Sequence, residues 1–165
     1  MSAAQSASAS ANASPGQARP RLSDSQALDE VLGFLPHRPP FLFADRVEIE
    51  VDRIFGYRHF RAEEAFFGGH FPSYPVVPGV ILLESMFQCG GVGVRKMGIV
   101  GAGTFFLAKI REARFRRQVR PEETFRAEIE NLKATPRVVH QRGVGYVDQE
   151  IAVEAEWISI AGGDV

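Results

Sequence analysis

The sequence has 165 residues, a net charge of −1 and a single cysteine. A chain of this length can form one domain with a self-sufficient core, and its balanced charge predicts no general affinity for nucleic acids or membrane surfaces. The lone Cys89 excludes an internal disulfide framework and favours a reducing compartment, here taken as the cytoplasm. No membrane span or secretory signal is expected.

The first part of the chain predicts a tail followed by a helix. Residues 1–22 are mainly Ala, Ser, Gln, Asn, Pro and Gly, so we expect a disordered tail ahead of one domain at 23–165. Ser23 or Ser25 is predicted to cap a short helix that ends near Phe34.

Extended structure is predicted next. The prolines of residues 36–40 impose a rigid turn. Residues 41–61 alternate and are rich in Val, Ile, Phe and Tyr, which predicts one long strand or two strands joined near 51–52. A loop is expected at 63–78, with one helical turn at 63–67.

The remainder predicts one long helix and an antiparallel meander. The helix is expected at 79–97, with Pro78 at its start and Gly98 at its end. Strands are expected at 104–117, 122–135, 137–148 and 150–161. A single long apolar helix can be wrapped by one curved sheet of five or six strands. The sequence therefore predicts an α+β hot-dog fold.

The predicted long helix carries one carboxylate among apolar residues. Glu84 shares a helical stripe with Val80, Leu83, Phe87, Gly91 and Val94. A helix that is apolar nearly all round is buried, and a buried carboxylate without a partner tends to hold its proton, as a general acid must. A Glu paired with an arginine or pointing into a wet cleft is an equal alternative. Gln88, one turn on, can orient Glu84 or make a polar contact at an oligomer interface.

The loop before this helix holds a histidine between glycines and prolines. Gly68 and Gly69 precede His70, and prolines follow at every third position from Pro72, which favours a site role for His70. Gly79 is placed to offer an N–H at the helix start to a carbonyl oxygen that gains charge, or simply to allow tight packing.

Other candidate sites are weaker. His37, His59 and His140 fit surface or structural roles, and Cys89 fits a buried structural thiol. The chain has no metal-binding spacing, no GxSxG elbow and no Gly-rich phosphate loop.

Several motifs together resemble the FabZ-type β-hydroxyacyl-acyl carrier protein dehydratases. The resemblance covers residues 35–160 and includes the motifs Leu-Pro-His-Arg-Pro-Pro-Phe-Leu at 35–42, Asp-Arg-Val at 45–47, Gly-His-Phe-Pro at 69–72 and Pro-Gly-Val at 78–80. It also includes Glu84 with Gln88, and Ala-Arg-Phe-Arg-Arg at 113–117.

The resemblance implies a homodimer, in this family often assembled as a trimer of dimers, in which His70 of one subunit faces Glu84 of the other. On this view His70 takes the C2 proton of a 3-hydroxyacyl chain carried by acyl carrier protein, and Glu84 helps the C3 hydroxyl leave as water. No metal or organic cofactor is implied. Glu84 in place of the Asp of related dehydratase/isomerases favours dehydration without double-bond migration. The implied substrate-binding residues are Gly79, Val80, Phe71, Gln88 and Phe106.

Some positions depart from the family pattern or allow a second interpretation. Phe87 replaces a usual alanine, and with Phe106 it could shorten or redirect the acyl tunnel. A clustered set of arginines could bind the acidic carrier protein or form a solvated strand edge: Arg111, Arg114, Arg116, Arg117 and Arg120. A dedicated dehydratase of a specialised lipid or polyketide pathway, a hot-dog thioesterase and a non-catalytic acyl-carrier partner remain the alternatives.

Overall fold

The computed structural model describes residues 22–162, so the tail expected at 1–22 lies outside the described residues except for Leu22. The elements follow in the order α1 (Asp24–Phe34), β1 (Arg46–Glu50), β2 (Arg53–His59), a 3₁₀ helix (Ala65–Gly68), α2 (Gly79–Lys96), β3 (Phe105–Phe115), β4 (Thr124–Ala134), β5 (Val138–Val147) and β6 (Glu150–Ala161).

All six strands form one antiparallel sheet in the order β1-β2-β4-β5-β6-β3. The predicted meander is correct only for β4, β5 and β6. β3 does not pair with β4, because β2 occupies that side of β4 and β3 adds to the free side of β6. β3 is therefore an edge strand, and nearly all of its residues are exposed.

Two strands, and not one, follow the proline-rich turn. β1 and β2 form a hairpin that turns at 51–52, as the second alternative predicted. The strand does not extend back to Phe41, which is a correction. The Phe41 carbonyl and the Phe43 N–H are hydrogen-bonded to the side chain of Gln88 on α2, at 3.2 and 2.7 Å, and so do not join a neighbouring strand.

The predicted capping of α1 is confirmed at Ser23. Its side chain accepts from the Gln26 N–H, and the Gln26 side chain accepts from the Ser23 N–H, so each residue satisfies an orphan donor of the first turn. α1 is tied to α2 by Lys96, whose Nζ lies 2.7 Å from both a Glu30 carboxylate oxygen and the Val47 carbonyl.

The curved sheet wraps around α2, which contacts all six strands. The approach is close because glycines face large side chains: a Cβ on Gly143 would lie 2.7 Å from Met86 Cε, and one on Gly93 would overlap Ile54. The core therefore lies between α2 and the concave face of the sheet. Within residues 22–162, no helix is both long and apolar enough to cross a membrane.

Candidate active site

The loop that precedes α2 holds the His70 imidazole in one orientation. The His70 backbone N–H donates to the Phe66 carbonyl at 2.7 Å, and its Nδ1 lies 3.0 Å from the Val76 carbonyl. A carbonyl can only accept, so Nδ1 must carry the hydrogen. In the neutral ring, Nε2 then has a free lone pair and is the nitrogen available as a base.

Phe71 gives this loop a strained backbone. Its φ is 57°, in the left-handed region, which is uncommon for a bulky residue and is found at functional sites when the surroundings enforce it. The Phe71 ring centroid lies 4.2 Å from that of His70, and the side chain is largely exposed. Phe71, one of the predicted substrate-binding residues, therefore lies against one face of the His70 imidazole.

The start of α2 lies beside the same imidazole. Pro78 is the N-cap residue and provides no side-chain cap, so the first N–H groups of the helix have no partner within it. A Cβ on Gly79 would lie 2.8 Å from the Phe115 ring. One cavity, here called the His70 cavity, is lined by His70, residues 76–80, Leu82 and residues 115–119. Its lining brings together the predicted residues His70, Gly79 and Val80.

Glu84 lines a second cavity, farther along α2. Four more residues of the predicted stripe or pair line the Glu84 cavity: Phe87, Gln88, Gly91 and Val94. Its remaining lining residues are Leu35, Pro36, His37, Arg95, Phe105, Phe106, Leu107, Val139, Gln141 and Ser159. His70 and Glu84 are thus in different cavities of one chain. Phe106 and Gln88 lie with Glu84, as predicted.

The expectation of full burial for Glu84 is wrong for a single chain. Its side chain is 23% exposed, because the stripe formed by Val80, Glu84, Phe87 and Gly91 is the face of α2 that the sheet leaves open. The rest of the predicted helix is mostly buried. Glu84 pairs with no arginine within residues 22–162, so the arginine-paired alternative is not supported.

Gln88 orients Glu84, as the spacing of one turn predicted. Its Nε2 lies 3.0 Å from Glu84 Oε1, while its Oε1 accepts from the Phe43 N–H and its Nε2 also contacts the Phe41 carbonyl. The amide is 2% exposed and bonded at both ends, so its orientation is defined by the backbone of the segment before β1. Gln88 therefore holds one oxygen of the Glu84 carboxyl group in place.

His37 lies next to Glu84, which the sequence did not predict. A surface or structural role was expected for it, but its Nε2 lies 3.5 Å from Glu84 Oε1 and it lines the Glu84 cavity. The two residues are 47 positions apart, and no local pattern brings them together. The available signal was the rigid proline turn that holds His37, which resembles the setting of His70.

The predicted carrier-binding arginines are largely paired within the chain. Arg111, Arg114, Arg116 and Arg117 make ion pairs with Glu156, Glu112, Glu154 and both Glu123 and Glu150, respectively. Arg120 makes no ion pair within residues 22–162 and stacks on the Tyr74 ring at 4.7 Å. Arg116 and Arg117 line the His70 cavity.

Cys89 and Glu123 are among the groups whose pKa values are shifted by their surroundings. Burial raises the pKa of the Cys89 thiol to about 12, which makes it a structural thiol and not a nucleophile. The hydrogen bond from Arg117 is the main cause that lowers the pKa of Glu123, despite partial desolvation.

Comparison with known proteins supports the family resemblance. The family described as "FabA-like domain" matches residues 35–156. The 3-hydroxyacyl-(acyl-carrier-protein) dehydratase FabZ of Pelotomaculum thermopropionicum is 42% identical over 131 residues, covering 78% of this chain and 94% of the relative. The FabZ of Desulforamulus reducens is 43% identical over 135 residues, covering 81% and 93%.

Solved structures with low identity show the fold. A chain of the ApeI:P dehydratase heterocomplex from Xenorhabdus doucetiae superposes with a TM-score of 0.66 at 15% identity, over 81% of this chain and 91% of that one. A hypothetical thioesterase from Streptococcus pneumoniae gives 0.54 at 10% identity, over 72% and 86%. The predicted α+β hot-dog fold is confirmed.

Proposed function

This chain belongs to the FabA-like family, and we propose that it dehydrates 3-hydroxyacyl-(acyl carrier protein) to the trans-2-enoyl product in fatty-acid biosynthesis, with His70 as base and Glu84 as acid. The activity follows from about 40% identity to FabZ dehydratases over most of the chain. The assignment of roles rests on the His70 tautomer: with Nδ1 bonded to the Val76 carbonyl, Nε2 is free to take a proton.

The reaction needs one proton removed and one supplied. His70 Nε2 takes a proton from C2, and the C2–H electron pair forms the C2–C3 double bond as the C3–O bond breaks. Glu84 gives its proton to the departing hydroxyl, which leaves as water. Each positioned proton transfer contributes about 10²–10⁴-fold. The Gly79 N–H donates to the thioester oxygen, where negative charge grows as C2 loses its proton.

A complete site requires two chains, because one chain separates His70 from Glu84. β3 is an exposed edge strand of 11 residues with exposed apolar side chains, namely Phe106, Leu107, Ile110 and Phe115. A long apolar edge pairs with another chain unless it is covered, and a second copy of this chain provides a matching edge through two-fold symmetry.

The geometry of β3 supports a shared site. Phe105, Phe106 and Leu107 at its start line the Glu84 cavity, and Phe115 at its end lines the His70 cavity. Antiparallel pairing of two β3 strands about a two-fold axis near Ile110 puts the start of one strand beside the end of the other. The Glu84 cavity of one protomer then meets the His70 cavity of its partner. Assembly of such dimers into a trimer of dimers remains part of the proposal.

The carrier protein is proposed to approach the mouth of the His70 cavity. Arg116 and Arg117 line this cavity, and Arg120 is the predicted arginine without an ion-pair partner in residues 22–162. Because the other arginines are already paired with glutamates, Arg120 is expected to contribute most to an acidic carrier, with an affinity that falls as salt rises. The cytoplasm remains the proposed compartment.

One assay tests the function. The purified protein is incubated with a 3-hydroxyacyl thioester, and enoyl absorbance and free thiol are followed together. Enoyl product without thiol is expected; thiol without enoyl would indicate a thioesterase, and neither would indicate a binding protein. His70→Ala is expected to lower kcat by at least about 100-fold, and unchanged turnover would refute its role as base. The second candidate function is dehydration of a specialised acyl substrate, because the bulky Phe87 and Phe106 line the Glu84 cavity.

A further inference from the structure

The turn between α1 and β1 holds the His37 imidazole rigidly against the Glu84 cavity. Arg38 Nη1 donates to the Leu35 and His37 carbonyls, both at 2.7 Å, and thereby fixes the turn around His37. The His37 ring stacks on that of Phe41 with centroids 6.3 Å apart. The backbone and one face of the ring are therefore held before any substrate arrives.

The surroundings of the two ring nitrogens indicate which one carries hydrogen. Nδ1 is buried and has no partner within residues 22–162, and a buried N–H without an acceptor is costly. Nε2 lies 3.5 Å from Glu84 Oε1. A neutral His37 is therefore most stable with its hydrogen on Nε2, directed at the carboxyl group.

Both donors near Glu84 meet the same oxygen. Gln88 Nε2 and His37 Nε2 approach Oε1 at 3.0 and 3.5 Å, and no donor within residues 22–162 contacts Oε2. With Oε1 accepting, the acidic hydrogen of Glu84 belongs on Oε2, the oxygen left for the substrate. The His37 contact is longer than a normal hydrogen bond, but such contacts tighten when a substrate complex forms.

We propose that His37 is a positioning residue for Glu84, which holds Oε1 so that Oε2 presents its proton to the C3 hydroxyl. This inference rests on the proposed function, because His37 acts only through Glu84. Arg95 is the other charged residue of the cavity lining, and it does not compete for Glu84, since its guanidinium donates to the Phe34 and Gly103 carbonyls.

Three variants test the hydrogen bond separately from packing. His37→Phe keeps a ring that can stack on Phe41 but removes the donor, whereas His37→Gln places an amide N–H near the position of Nε2. His140→Gln is the matched control, because His140 contacts Glu156 at 2.8 Å with similar exposure and does not line the Glu84 cavity. Kinetics are measured with a 3-hydroxyacyl thioester, after thermal midpoints and oligomer size confirm folding.

We expect His37→Phe to lower kcat about 10-fold with little change in KM, His37→Gln to restore most of kcat, and His140→Gln to match the wild type. In a Glu84→Gln background, His37→Phe should have no further effect, since the two residues act as a unit. The inference would be overturned by any of three results. These are equal activity of all His37 variants, no recovery of kcat in His37→Gln, or an additive effect of His37→Phe in the Glu84→Gln background. If the wild type dehydrates the substrate and Glu84→Gln is fully active, Glu84 is not the acid, and the proposed role of His37 is refuted as well.

Discussion

Two inactive chains should complement each other if the site is shared between protomers. In the proposed β3-paired dimer, each site would take His70 from one chain and Glu84 from the other, because a single chain holds them in different cavities. We therefore expect co-expressed His70→Ala and Glu84→Gln chains to form heterodimers with one intact site and one doubly defective site. Both homodimers lack a complete site.

The expected magnitude follows from counting sites. Random assembly makes about half of all dimers heterodimeric, and half of their sites are intact, so the mixture should show about one quarter of wild-type activity. Heterodimers purified with two different tags should show about one half. Each single variant is expected to be at about 1% or less, because a positioned proton donor or acceptor contributes 10²–10⁴-fold. The restored activity is thus well above the background.

The measurement is the rate of enoyl product formation at equal protein concentration. As a control, the His70→Ala chain is co-expressed with a chain that carries both substitutions, which leaves no complete site in any dimer and should restore nothing. A shared site is refuted if purified heterodimers remain as inactive as the single variants, or if an intact monomer shows full turnover.

Two further predictions concern substrate length and acid stability. Phe87 lines the Glu84 cavity and packs on the buried Trp157 with ring centroids 5.0 Å apart. Phe87→Ala should therefore enlarge the Glu84 cavity and raise kcat/KM for long acyl chains relative to short ones. Equal effects on long and short acyl chains would contradict a role of Phe87 in the selection of chain length. Arg117 lowers the folded-state pKa of Glu123, so this carboxylate stabilises the fold above its unfolded pKa and loses that contribution as pH falls through the folded pKa. Urea unfolding should show a lower free energy of unfolding for Glu123→Gln than for the wild type at neutral pH, with a difference that narrows as the pH falls through the folded-state pKa of Glu123. A difference that is independent of pH would refute the assignment.

Local features of the fold were predictable because their causes lie within a few residues. Ser23 caps α1 through contacts with Gln26, three positions away. The apolar composition of α2 predicted a buried helix, and the one-turn spacing of Glu84 and Gln88 predicted their hydrogen bond. The constrained loop around His70 likewise showed in its glycines and prolines, and it does hold the imidazole.

The position of β3 could not be predicted in this way. Its composition indicates a strand, but its place at the sheet edge depends on the fact that β2, and not β3, pairs with β4. The same arrangement of strands places β3 along the Glu84 cavity at its start and along the His70 cavity at its end. The separation of His70 from Glu84, and the exposed edge that favours a second chain, are therefore tertiary properties.

The sequence by itself determined the helix, the strands, the histidine loop and the family, because periodicity, turn chemistry and motif spacing act over short stretches of chain. Only the tertiary structure decided that the Gln88 side chain hydrogen-bonds the backbone of Phe41 and Phe43, and that His37 contacts Glu84. The physical reason is that these polar groups satisfy each other across 45 to 47 residues of sequence, where chain topology and not local pattern selects the partner.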